Sequence, residues 1–143
     1  MSDPVSIPDW HSAQRAATVA TPARVAVALH LGARGGDHLD LFVGPVGEAD
    51  PDARVARCWR LPIEAWRAEG LANGRFAATE IELHRAAYLS IAEPRELSGG
   101  RGRVEPLARG AVEVTVGMPL VVRWGEVQIE LSQHEVAITG GAA

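Results

Sequence analysis

Lysine is absent from these 143 residues: all 14 basic side chains are arginines, set against 18 acidic ones, for a formal net charge of −4. That balance excludes a domain that coats nucleic acid with a broad positive face, leaving room for a local anion site made of a few placed guanidinium groups. Arg95, Arg101, Arg103 and Arg109 lie close together in sequence, which suits phosphate or merely a solvated surface. Cysteine occurs once, as Cys58, so no disulfide can form within the chain and a thiolate-rich zinc site is excluded. A metal would have to use nitrogen and oxygen ligands. No run approaches the ~18 apolar residues of a membrane span, and the first residues lack the basic-then-apolar order of a signal peptide. No membrane partner and a cytoplasmic location are therefore expected. Internal repeats, heptads and low-complexity blocks are missing too, which excludes a solenoid or coiled coil.

What is present reads as one domain, with residues 1 to 22 a flexible tail that Trp10 could dock and residues 23 to 140 the folded part. Val25, Val27, Leu29 and Leu31 alternate with Ala26, Ala28 and His30, the two-residue period of a strand. After a turn at Gly32, Gly35 and Gly36, Leu39, Leu41 and Val43 alternate with His38, Asp40 and Phe42, completing a hairpin. Val55 to Leu61 is a third strand closed by Pro62, and Ile63 to Glu69, between Pro62 and Gly70, suits one or two helical turns. Phe76 to Leu83 and Ala86 to Ile91 read as extended. Further strands follow around Val112 to Val116, Leu120 to Trp124, Val127 to Leu131 and Val136 to Ile138. The expected fold class is all-β and mainly antiparallel: a closed or nearly closed β-barrel of about six to nine strands with one short helix, or alternatively a sandwich.

His38 and Asp40, two apart on a strand, leave the same face, and His30 on the preceding strand can reach the same spot. Two imidazoles and a carboxylate with open positions suit Mn²⁺, Fe²⁺ or Zn²⁺; the plainer alternative is a polar hairpin edge. Downstream, Glu82 and His84 share a face near Tyr88, where they could hold a phosphate, orient a water or move a proton, unless that strand simply faces solvent. His38-x-Asp40 followed by His84 also matches the order of the facial triad of non-haem iron oxygenases. His11 and His134 read as tail and turn residues.

His30, His38-Leu39-Asp40-Leu41, Cys58-Trp59-Arg60-Leu61-Pro62, Glu82-Leu83-His84-Arg85-Ala86-Ala87-Tyr88-Leu89 and the Gly99-Gly100-Arg101-Gly102 loop occur in an order that resembles the 3′-phosphoesterase domain of bacterial DNA ligase D, over about residues 25 to 117. The likeness is to its small stand-alone relatives. It implies a barrel whose crater holds Mn²⁺, with Zn²⁺ or another divalent cation as alternatives, on His30, His38 and Asp40. It further implies His84 against the scissile phosphate with Glu82 and Tyr88 beside it, and removal of a 3′-ribonucleoside and 3′-phosphate from DNA ends during repair. The implied partners are DNA 3′ ends or phosphorylated nucleotide ends and a separate ligase or polymerase. Phe42 stands where the family carries arginine, Ile63 where lysine commonly follows Trp-x-x-Pro, and the loop from His30 to His38 is longer than usual. Arg34, Arg60, Arg85 and Arg101 are the cations that could stand in their place, with Arg60, Arg85 and Arg101 the candidate substrate-binding residues. The same departures support the alternative of a non-catalytic relative that binds nucleic-acid ends or a repair protein.

Overall fold

The computed structural model describes residues 22–142. The expected tail over residues 1 to 22, Trp10 included, lies outside the described residues apart from Pro22, whose carbonyl accepts the Val46 N–H at 3.3 Å.

Strands β1 (Ala23–Leu31), β2 (His38–Pro45) and β3 (Arg54–Leu61) form an antiparallel meander. Then come β4 (Trp66–Arg67), β5 (Gly70–Leu71), β6 (Gly74–Ala77), β7 (Thr79–Arg85), β8 (Arg95–Glu96), β9 (Arg103–Thr115), β10 (Leu120–Trp124), β11 (Val127–Leu131) and β12 (Glu135–Thr139). One sheet runs β6-β12-β11-β10-β9-β1-β2-β3-β7, with β8 paired to β9, while β4 and β5 form a separate hairpin. The mainly antiparallel all-β class is thus present. The count exceeds six to nine because β4, β5 and β8 have two residues each, too few to leave a periodic signal.

The sheet ends on β6 and β7, which are consecutive in the chain across Ala78. No ladder between these two strands closes a barrel among the described residues. At Ala78 the chain leaves its β12 neighbour for β3, so the stretch Phe76 to Leu83 is two strands rather than one. Backbone bonds from Ala78 N–H to His134 O and from Glu80 N–H to Gln133 O, both 3.0 Å, tie this crossing to the β11–β12 turn.

Two further expectations are corrected. Ile63 to Glu69 is not a helix of one or two turns: a 3₁₀ turn over Ile63–Ala65 leads directly into the β4–β5 hairpin. Ala68 and Glu69 form its loop with φ of 50° and 68°, the left-handed pair that a two-residue hairpin turn demands. Neither residue is glycine or asparagine, so both bear steric cost. Placing Asn-Gly there (Ala68→Asn with Glu69→Gly) is expected to stabilise the protein by about 1 kcal/mol. Chemical denaturation checks this, and an unchanged or lowered midpoint counts against it. The segment Ala86 to Ile91 is likewise not extended but a 3₁₀ turn over Ala86–Leu89. Ala86 and Ala87 donate their N–H groups to Ala53 O (2.8 Å) and Pro51 O (2.9 Å), and Leu89 buries against Gly44 of β2.

The sheet buries apolar side chains on both faces. Val25, Val27, Leu39, Leu41, Val43, Trp59 and Leu61 meet Leu120, Val122, Ile129, Leu131, Val136 and Ile138 in the main core. The opposite parity of the same strands, Ala26, Ala28, Phe42, Ala56 and Cys58, joins Leu89 and Val104 in a second, smaller core. β2 is consequently buried along nearly its whole length, and its polar positions must find partners inside the protein.

Candidate metal centre and anion cleft

The β1–β2 register places His30 directly opposite His38 and Ala28 opposite Asp40. Asp40 lies between the rings: Oδ2 is 3.3 Å from His30 Nδ1 and Oδ1 is 3.1 Å from His38 Nε2. His38 and Asp40 are each only 5% exposed, so this is no solvated hairpin edge.

Backbone carbonyls set the proton on each ring. His38 Nδ1 lies 2.9 Å from Gly36 O, and His30 Nε2 lies 2.8 Å from Arg101 O. A carbonyl only accepts, so those two nitrogens carry hydrogen and donate. The remaining nitrogens, His30 Nδ1 and His38 Nε2, both face Asp40. Buried His38 Nε2 and Asp40 Oδ1 then meet without a hydrogen bond. Three ligand atoms within 4.8 Å of one another, two of them imidazole nitrogens oriented by outer carbonyls, form a set that can hold a divalent ion. A cation there would satisfy the atoms left orphaned.

Without an ion, the carboxylate performs that task. Burial by itself would raise the Asp40 carboxyl, but the two imidazoles that face it, which donate to the carboxylate and carry charge once protonated on their inner nitrogens, overrule it and lower the pKa from 3.8 to about 2. His30 moves the other way. Its hydrogen bond to Asp40 raises the ring above 6.5 against the opposing effect of burial. A depressed Asp40 contributes stability above pH 3.8 that is lost as pH falls through about 2. A raised His30 contributes stability below pH 6.5 that is lost as pH rises through its folded value. In chelator, the stability gap between wild type and Asp40→Asn is expected to peak between about pH 4 and pH 6.5. A gap that stays flat from acid to alkaline pH would show that the triad is not coupled in this way. Metal affinity should run oppositely, rising with pH as the proton leaves His30.

An open cleft of about 670 Å³ adjoins the triad through His30 and Asp40. Its walls bring together Arg60, Glu82, His84, Arg85, Tyr88 and Arg101, with Phe42 between the triad and His84. The alternation of β2 explains Phe42: it shares a face with His38 and Asp40, is 1% exposed, stacks on Tyr88 at 5.2 Å between centroids and meets the His84 ring edge-on at 5.5 Å. His84 is not among the clustered ligand atoms, which belong to His30, His38 and Asp40. The order expected of an oxygenase triad is therefore not the spatial grouping found. His84 Nδ1 donates to Glu82 O at 2.9 Å, which leaves Nε2 as the ring nitrogen free to accept or pass a proton.

Five of the 14 arginines line this cleft (Arg34, Arg54, Arg60, Arg85 and Arg101) against the carboxylates of Asp40 and Glu82. The acidic chain thus has a locally basic hollow. Arg101 is held on Ser98 and Arg85 lies 3.8 Å from exposed Asp52, whereas the Arg60 side chain has no hydrogen bond or ion pair among the described residues. Arg54 was not among the expected cations, although it shares the parity of Ala56, Cys58 and Arg60 along β3. The Gly36 and Arg101 carbonyls also went unforeseen, because a backbone acceptor leaves no trace in residue type. Ile63 is 44% exposed and does not line the cleft.

Fold and site together define a mainly antiparallel β protein with a His-His-Asp cluster, buried at His38 and Asp40, beside an arginine-lined cleft. No family model, curated protein or solved structure gives a significant match to the chain. No helix among the described residues is long and apolar enough to cross a membrane.

Proposed function

We propose that this protein is a divalent-metal-dependent phosphoesterase that acts on 3′ ends of DNA, as the resemblance to the ligase D 3′-phosphoesterase domain implies, on a barrel-like fold. One observation carries the reading. His30 and His38 each have the outer nitrogen bonded to a carbonyl and the inner one aimed at Asp40, beside a cleft that His30 and Asp40 line together with His84 and five arginines.

In this reading His30, His38 and Asp40 hold Mn²⁺, with Zn²⁺ or another divalent cation as alternatives. Such an ion neutralises phosphate charge and polarises the phosphorus centre or a water. The residues of the chain do the rest. Arg60, Arg85 and Arg101 supply donors for phosphate oxygens, Arg60 being the one with no competing partner among the described residues. His84 Nε2 holds or transfers a proton at the reacting phosphate, its ring oriented by the Glu82 carbonyl and packed by Tyr88 and Phe42. Glu82 borders the same cleft.

Incubation with Mn²⁺ and a DNA primer ending in a 3′-phosphate is expected to release phosphate, and His38→Ala to abolish the release. Equal release by the two proteins would refute a role for the triad. Phe42 supports a second reading, because a buried aromatic on the site face cannot supply the charge of the arginine found there in the family. A non-catalytic relative would bind a phosphorylated nucleotide end, or a separate ligase or polymerase, without turnover. Binding of a 3′-phosphorylated primer with no release at any divalent ion would favour it.

A further inference from the structure

The loop from β8 to β9 contributes two things to one place. It places Arg101 on the wall of the cleft and the Arg101 carbonyl against His30, 71 residues away in sequence. We infer that this loop is the positioning element for the His30 ligand: Gly102 lets the loop backbone press against the end of β1, and the Arg101 carbonyl then fixes the ring with Nδ1 toward Asp40. The inference presupposes the metal site proposed for this chain.

Three observations carry it. First, the contact needs glycine. A β-carbon at Gly102 would collide with the Leu31 carbonyl oxygen and with Gly32, and φ there is +92°. Gly32, at φ +72°, is the other half of the approach, since its own β-carbon would lie 3.4 Å from Gly102 Cα. Two backbones therefore meet without side chains at the end of the strand that carries His30. Second, the loop is closed on itself. Leu97 N–H donates to Gly102 O at 2.8 Å, and Arg101 donates from Nε to Ser98 O (2.8 Å) and from Nη2 to Ser98 Oγ (3.0 Å). Third, the carbonyl selects the tautomer. An imidazole free to turn could present its N–H to Asp40, whereas a ring donating from Nε2 to Arg101 O leaves only Nδ1 for the carboxylate or an ion.

The test is a Mn²⁺ titration without nucleic acid on wild type, Gly102→Ala and Arg95→Ala. Gly102→Ala moves the carbonyl and is expected to weaken Mn²⁺ binding about 10- to 100-fold. Arg95→Ala removes an exposed cation of β8 that does not line the cleft, and is expected to retain wild-type affinity. Equal affinity of wild type and Gly102→Ala overturns the inference, as does a loss in Arg95→Ala that matches that of Gly102→Ala. Nitrogen NMR of the histidines in Zn²⁺-loaded wild type supplies a readout that does not depend on either variant folding. His30 is expected to carry its proton on Nε2, and finding it on Nδ1 overturns the inference while leaving metal binding intact. A wild-type protein that binds neither Mn²⁺ nor Zn²⁺ overturns the metal site itself, a result distinguishable from the others.

Discussion

Asp40→Asn is expected to weaken Mn²⁺ binding by at least about 100-fold while the protein stays folded. Loss of an outer-shell partner alone typically costs 10- to 100-fold, and Asp40 is the only anion in the ligand set, so its neutralisation belongs at or beyond that limit. Asparagine keeps the size of the side chain. It also offers an amide N–H that can reach His38 Nε2, an atom left without a hydrogen bond in the wild type. The metal-free variant should therefore lose about 2 kcal/mol or less near pH 5, the order implied by a carboxyl held at about 2 instead of 3.8. Calorimetric titration with Mn²⁺, with circular dichroism to verify folding, reads both effects. Affinity within tenfold of wild type would remove Asp40 from the ligand set.

The largest expected effect on stability lies away from the cleft. Arg57 on β3 and Glu80 on β7 form a bidentate pair, with Nε to Oε2 at 2.8 Å and Nη2 to Oε1 at 2.9 Å, their side chains 4% and 2% exposed. The guanidinium also lies 4.6 Å over the Trp59 ring, and Trp59 donates from Nε1 to Ser132 O at 2.9 Å. Glu80→Ala would leave a buried arginine without its counter-charge, a loss of about 3 to 5 kcal/mol. Against a typical total of about 5 to 15 kcal/mol, that is enough to unfold much of the population under mild stress. Replacing both partners together, Arg57→Met with Glu80→Leu, should cost far less, because it removes the buried charge along with its partner. Urea unfolding of the three proteins checks this; a double variant as unstable as Glu80→Ala would mean that packing, not charge, dominates there.

Alternation along the chain was enough to locate the long strands and to put His38 and Asp40 on one face of β2. It also placed Leu39, Leu41 and Val43 on the other, because side-chain direction in a strand follows from local backbone geometry alone. Local pattern failed where tertiary partners intervene. Trp66 and Leu71 pair across a tight hairpin that has the composition of a short helix, and Ala86 and Ala87 turn because the carbonyls of Pro51 and Ala53 are there to receive their N–H groups. Phe42 illustrates the same limit at the site. Its parity was legible, but its burial required Tyr88, His84 and the second core to close over it.

By itself the sequence determined a single-cysteine, lysine-free, acidic β-rich chain, and a hairpin in which two histidines and an aspartate could meet. The tertiary structure alone decided that His38 and Asp40 are buried, which nitrogen of His30 and His38 faces Asp40, and which five arginines share the cleft. The division has a physical cause. A residue's direction along a strand depends on its own backbone, whereas the proton on an imidazole depends on a carbonyl that a distant loop brings to it.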